Sequence, residues 1–420
     1  MRARRIDEDR LWFDLMALGE ITEPGQPWTR RSFTLRYDEG REWLKNRMQE
    51  AGLSVRVDAA GNLIGRREGL RPGVATIAVG SHSDTVPAGG RFDGMAGVCA
   101  GLEIARSLAE HNLPLDHAFE AIDFLAEEPS DFGLSCVGSR GLAGALTPAM
   151  LGYRHPDGRL LADAIVAAGG APKELTKPLR EDIGAYFELH IEQARSLESA
   201  GISVGIVLSI AAVSRLAIRF EGLADHAGAT PFSLRADALL AAAQTIVDVR
   251  REAERIAAAS NDYFVATVGK IEAEPNAPNV VPARCTIWVD IRSGKSDDAS
   301  RFIAALERAA STAAFAYGAK LSTLDVISRS EPGISDPVLM QALSESAREC
   351  GLATMSLASG AGHDALFVSQ IAPMAMVFVP CRQGKSHCPD EWADKKDLAD
   401  GTETILGAIL TLDHNADRGD

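Results

Sequence analysis

The stretch GSHSDTVPAGGRFDGMAG, residues 80–97, closes a short apolar run, ATIAVGSH, and opens a segment of helical periodicity, GVCAGLEIARSLAEH. It predicts a buried strand, a glycine-rich turn and a helix in succession. His82 and Asp93 then flank one βα connection, the place where an open α/β sheet keeps its chemistry. A neutral imidazole and a carboxylate so placed are good ligands for a first-row metal, and Asp84 is expected to hydrogen-bond the imidazole. A polar turn with a capping Asp and a surface His would use the same residues, so this stretch decides the fold before it decides the chemistry.

The flanking chain extends the pattern. An amphipathic helix is predicted over 6–20, a second over 34–52 that stops at Gly52, and two strands around a turn at Ala60-Gly61 over 53–69. HAFEAIDFLAEEPSDFG (117–133) reads as a strand running into Glu127-Glu128. AYFELHIEQARSLESAG (185–201) reads as a strand and helix, and ISVGIVLSI (202–210) as a further strand. Alternation of this kind implies an α/β domain with a mostly parallel sheet. Residues 214–328 change character and run β-α-β-β-α-β, a ferredoxin-like α+β unit set into the chain. The expected division is therefore a catalytic domain over 1–212 and 329–420, interrupted by an inserted domain over 213–328.

Composition limits the function. A chain of 420 residues with 46% hydrophobic and 24% charged residues has room for two cored domains. A formal net charge of −15 argues against nucleic acid and against an anionic membrane surface. The six cysteines show no CxxC spacing and read as reduced thiols, and no apolar run approaches the ~20 residues of a membrane span. A cytoplasmic protein is expected.

Five segments place a metal-capable or acid–base residue at the end of an apolar strand: His82, Asp93, the pair Glu127-Glu128, His190 in FELHIEQ and His387 in GKSHCPDE. Each has an ordinary explanation, as a solvated acidic turn, a hydrogen-bonded core histidine or a surface histidine. One shared cause, a site at the carboxyl ends of the strands, covers all five more simply.

With GSHSDTVPAGGRFDG, AEEPSDFGLSCVGSRGLAG, FELHIEQ, ADHAGATP, PNVVP with DIRS, SGAGHDA and SHCPDE in this order, the chain resembles the zinc-dependent amidohydrolases of the hydantoinase/carbamoylase family. That branch includes the N-carbamoyl-L-amino acid hydrolases and allantoate amidohydrolases, within the aminoacylase/carboxypeptidase superfamily. The resemblance implies two divalent metal ions bridged by Asp93, with His82 and His190 completing one and Glu128 and His387 the other. Zn²⁺ is the foremost expectation, and Mn²⁺, Co²⁺ or Ni²⁺ also suit such donors. Glu127 would act as general base on a metal-activated water, and His226 of ADHAG would stabilise the oxyanion. Asn279 and Arg292 would bind a substrate carboxylate, Gln193 the ureido group, and Gly360 would help shape the pocket, with His363 and Asp364 forming a structural pair. The inserted domain would serve as lid and dimerisation domain of a homodimer.

The implied reaction is hydrolysis of a linear ureido or amide C–N bond in a small carboxylate-bearing substrate, an N-carbamoyl-L-amino acid or a related ureido acid. An aminoacylase or dipeptidase of the same superfamily is the alternative enzyme, and a non-catalytic binding protein the alternative class. The chain departs from the family pattern at Pro129, Asp131 and Ala194. An added carboxylate at Asp131 would disfavour an anionic substrate group.

Overall fold

All seven residues of Thr76–His82 are buried, as in a strand covered on both faces. The computed structural model describes residues 5–175, 177–260 and 262–415, and they divide into two units. The first holds residues up to Leu208, Ile334–Leu357 and Gly362 onward; the second holds Ser209–Gly333 and Ala358–Ala361. The second unit thus begins and ends a few residues outside the expected 213–328, and takes a four-residue segment back from the returning chain.

The strands of the first stretch are β1 (Ser54–Val57), β2 (Leu63–Arg67), β3 (Thr76–His82), β4 (Phe119–Phe124), β5 (Ile183–Ile191) and β6 (Val204–Ile210). Then come β7 (Ala212–Glu221), β8 (Asp225–His226), β9 (Phe264–Glu274), β10 (Val280–Val281), β11 (Arg284–Ser293) and β12 (Lys320–Arg329). The chain returns with β13 (Gly333–Ile334), β14 (Thr354–Ser359) and β15 (Met374–Val379).

The larger sheet runs β1-β2-β4-β3-β5-β15-β6-β13, with β14 beside β6. Its centre, β4-β3-β5-β15, is parallel, and β1, β2 and β6 join antiparallel. Parallel strands need a crossover, which Met95–Glu110 supplies between β3 and β4. Alternate residues such as Ile77, Val79, Phe187 and Leu189 share one core with Met95–Glu110, Pro337–Glu349 and Lys395–Asn415. With the four central strands parallel, their carboxyl ends open on a single edge.

In the second unit the sheet order β12-β7-β11-β9 is wholly antiparallel. Residues Leu216, Ile218 and Phe220 of β7 and Ile287, Val289 and Ile291 of β11 alternate inward against Ala238–Ala259 and Ser296–Ala316. This is the ferredoxin-like βαββαβ order. No helix among the described residues is long and apolar enough to cross a membrane.

Candidate metal centre

The edge where the parallel strands end gathers the residues singled out in the first unit. His82 is the last residue of β3, Asp93 lies in the loop that follows, and Glu127 and Glu128 follow β4. His190 is the penultimate residue of β5, and His387 lies in the loop after β15. Two groups of potential ligands result, His82/Asp93/His190 and Asp93/Glu128/His387, each with its ligand atoms within 4.8 Å of one another. Asp93 belongs to both and divides its oxygens between them. Its Oδ1 lies 2.9 Å from His190 Nε2 and 3.6 Å from His82 Nε2, while Oδ2 lies 3.0 Å from His387 Nε2. His387 Nε2 is also 3.2 Å from Glu128 Oε1.

The donor chemistry fits divalent cations. His82 Nδ1 is 3.0 Å from the Asp84 carbonyl and His190 Nδ1 2.9 Å from the Ile191 carbonyl. A carbonyl can only accept, so each Nδ1 carries the proton and each Nε2 turns a lone pair toward Asp93. Lone pairs and carboxylate oxygens converging in a buried place call for a cation. With only protons to neutralise the cluster, burial opposes the charge on His82, yet Glu127, Asp84 and Asp93 raise its pKa well above the imidazole norm. Asp93 and Glu128 push His387 up to about 11. Burial raises Glu127 far above the carboxylate range against the pull of His82, and Glu128 adds to it.

Glycine at position 94 makes room for the first group. Its φ is +65°, and a Cβ there would lie 2.3 Å from His82 Cε1. Glu127 Oε1 is 3.2 Å from the Cys136 thiol, which donates to it, and Oε2 faces His82 Nε2 at 3.6 Å. The Cys136 contact has no signal in the sequence, since the thiol reaches the carboxylate only through the bend after β4.

The surroundings of several further residues take a particular form. Asp84 does hydrogen-bond the His82 ring, through its backbone carbonyl; its carboxylate lies 3.5 Å from the ring and accepts from the Glu127 and Glu128 amides at 3.2 Å each. Asp131 does not stand as an unbalanced negative charge, because Arg31 grips it bidentately at 2.9 and 2.6 Å. The His363 ring packs 4.4 Å from the His190 ring, and Asp364 accepts from Ser139 at 2.5 Å. Pro129 and Ala194 are both exposed.

Gln193 Nε2 donates to Asp93 Oδ2 at 2.8 Å, so its amide sits on the shared carboxylate. In the second unit, β8 pairs with β10, which brings His226 opposite Val280 and puts the Ala227 amide on the Asn279 carbonyl. His226 Nδ1 accepts from the Gly228 and Ala229 amides at 3.1 and 3.2 Å, which places the ring proton on Nε2. Arg292 Nε donates to Asp290 at 2.7 Å, and its Nη1 lies 3.5 Å from the Gly360 carbonyl.

A family model described as Peptidase family M20/M25/M40 matches residues 78–411. The chain belongs to this family. It is 39% identical over 410 residues to the N-carbamoyl-L-amino acid amidohydrolase of Geobacillus stearothermophilus, covering 97% of this chain and 99% of the relative. It is 34% identical over 414 residues to the ureidoglycolate hydrolase of Oryza sativa subsp. japonica, covering 97% and 85% respectively. Among solved structures, an amidase of the hydantoinase/carbamoylase family from Burkholderia multivorans matches with a TM-score of 0.88 at 35% identity, over 97% of this chain and 98% of that one. The family matches therefore agree with the resemblance read from the motifs.

Proposed function

We propose that the protein hydrolyses a linear ureido C–N bond, foremost that of an N-carbamoyl-L-amino acid or related ureido acid. The observation that carries this reading is one buried carboxylate, Asp93, offering an oxygen to each of two ligand groups with Glu127 beside them. The names of the similar amidohydrolases support the bond type. His82, Asp93 and His190 would hold one divalent cation, and Asp93, Glu128 and His387 a second. Bound there, such ions acidify a water and polarise the scissile carbonyl.

The side chains do the rest. Glu127, with Oε1 engaged by Cys136, takes the water's proton on Oε2 and returns it to the departing nitrogen. The amino acid, CO₂ and NH₃ are the products. His226 offers its Nε2–H to the developing oxyanion, while Asn279 and Arg292 take the substrate carboxylate and Gln193 the ureido group. Asp290 holds the Arg292 fork in one orientation for that task. We further propose that the ferredoxin-like unit serves as lid and dimerisation domain of a homodimer, and that the protein works in the cytoplasm.

After reconstitution with Zn²⁺, Mn²⁺, Co²⁺ or Ni²⁺, panels of N-carbamoyl, N-acetyl and dipeptide substrates separate the enzymatic readings. Ammonia released from N-carbamoyl amino acids is the expected result. Turnover confined to N-acetyl or dipeptide substrates would instead make the protein an aminoacylase or dipeptidase.

A further inference from the structure

We propose that Glu391 is a positioning residue that locks the two ligand-bearing loops together and selectively secures the cation group Asp93/Glu128/His387. The inference rests on the metal reading proposed above. Glu391 is 1% exposed, and its carboxylate spends both oxygens on those loops. Oε1 accepts from the Phe92 and Asp93 amides at 2.8 and 3.1 Å. Oε2 lies 2.9 Å from Ser386 Oγ, which is itself 3.0 Å from Asp93 Oδ2 and accepts from Gln193 Nε2 at 3.1 Å. The loop after β3 is shaped for this guest: Gly90 has φ +116°, and a Cβ there would lie 2.2 Å from Glu391 Oε1.

The two ligand groups depend on this clamp unequally. His82 and His190 lie within β3 and β5, and backbone carbonyls fix their rings. His387 has neither support: it lies in a loop, at φ +55°, with a side chain 49% exposed. The residue before it, Ser386, is the one that meets Glu391. Without the clamp, the first group keeps two strand-held donors, whereas the second keeps only Glu128 with its backbone anchored by Asp84. Partners that orient ligands are worth ~10- to 100-fold in metal affinity, so the loss falls on the second ion.

The test is a Co²⁺ titration of the full-length metal-free chain, followed by calorimetry and by the visible absorption of bound cobalt. Wild type is expected to bind two ions. Glu391→Ala should weaken one by ~10- to 100-fold and leave the other within about threefold. Glu391→Gln, whose carbonyl can still accept from both amides, should restore most of the loss. A folded Glu391→Ala protein that binds both ions as wild type does, or that weakens both equally, would overturn the inference while leaving the metal reading intact. If wild type binds no cobalt, the metal reading itself falls. Should Glu391→Ala fail to fold, Ser386→Ala carries the test: it removes the hydroxyl that links Glu391 Oε2 to Asp93 Oδ2, the oxygen facing His387, and should weaken the same single ion, and unchanged binding would refute the clamp.

Discussion

Replacing Gly94 with alanine strikes the centre at a point where the structure sets the size of the effect. The added Cβ would lie 2.3 Å from His82 Cε1 and 2.4 Å from both ring nitrogens. Carbon contacts settle near 3.5 Å, so the imidazole must retreat by roughly 1 Å. Metal–ligand distances tolerate about 0.2 Å, so the His82/Asp93/His190 group is left a donor short. Misplacement on that scale costs ~10²-fold in rate. The backbone conformation adds ~1–3 kcal/mol of strain, a Tm lower by several degrees. Gly73→Ala is the control, because Gly73 has φ +85° with nothing within 4 Å of its Cβ position. It should lower Tm without touching the metal. Ion content by mass spectrometry and ammonia release by coupled assay read the two variants apart. A Gly94→Ala enzyme with two ions and wild-type kcat would refute the reasoning.

Further outcomes follow from the same geometry. Glu127→Gln should keep the wild-type ion content and lose ~10²–10⁴-fold in kcat, and near-normal turnover would remove Glu127 from its role. Asp84→Asn turns an amide NH₂ toward a buried backbone donor at Glu127 or Glu128, costing about 1–3 kcal/mol in denaturant unfolding together with a fall in kcat. Unchanged values for both would show that the Asp84 carboxylate does not hold that turn. Arg31 and Asp131 are partly exposed, at 30% and 43%, so a double-mutant cycle should give a coupling of only ~0.2–1 kcal/mol. Asp131→Ala should change kcat/KM by less than about twofold on a charge already neutralised, and a tenfold gain would show that Asp131 repels the substrate.

The sequence carried the fold where periodicity and glycine punctuation are strong. The β3–loop–helix connection and the βαββαβ order lie where the chain pattern puts them, because continuous burial in Thr76–His82 and strict alternation in β7 and β11 leave their mark on residue type. Local pattern does not encode which strands meet at the sheet edges, nor that Ala358–Ala361 packs with the second unit. The candidate ligand residues were legible because each lies at the carboxyl end of an apolar strand or in the loop that follows it, and parallel strands end together. What supports them was not. Arg31 meets Asp131 across a hundred residues of chain, and Glu391 reaches the Phe92 and Asp93 amides across almost three hundred. Asp84 meets the His82 ring through its carbonyl and the Glu127 and Glu128 amides through its carboxylate, a division that only coordinates reveal.

The central claim is that Asp93 stands between two cations. Anomalous diffraction from crystals of the Zn²⁺-loaded protein, collected on both sides of the zinc absorption edge, tests it directly. The account predicts two peaks per chain, one among His82, Asp93 and His190 and one among Asp93, Glu128 and His387. A loaded, well-ordered crystal with no peak beside Asp93 would contradict it.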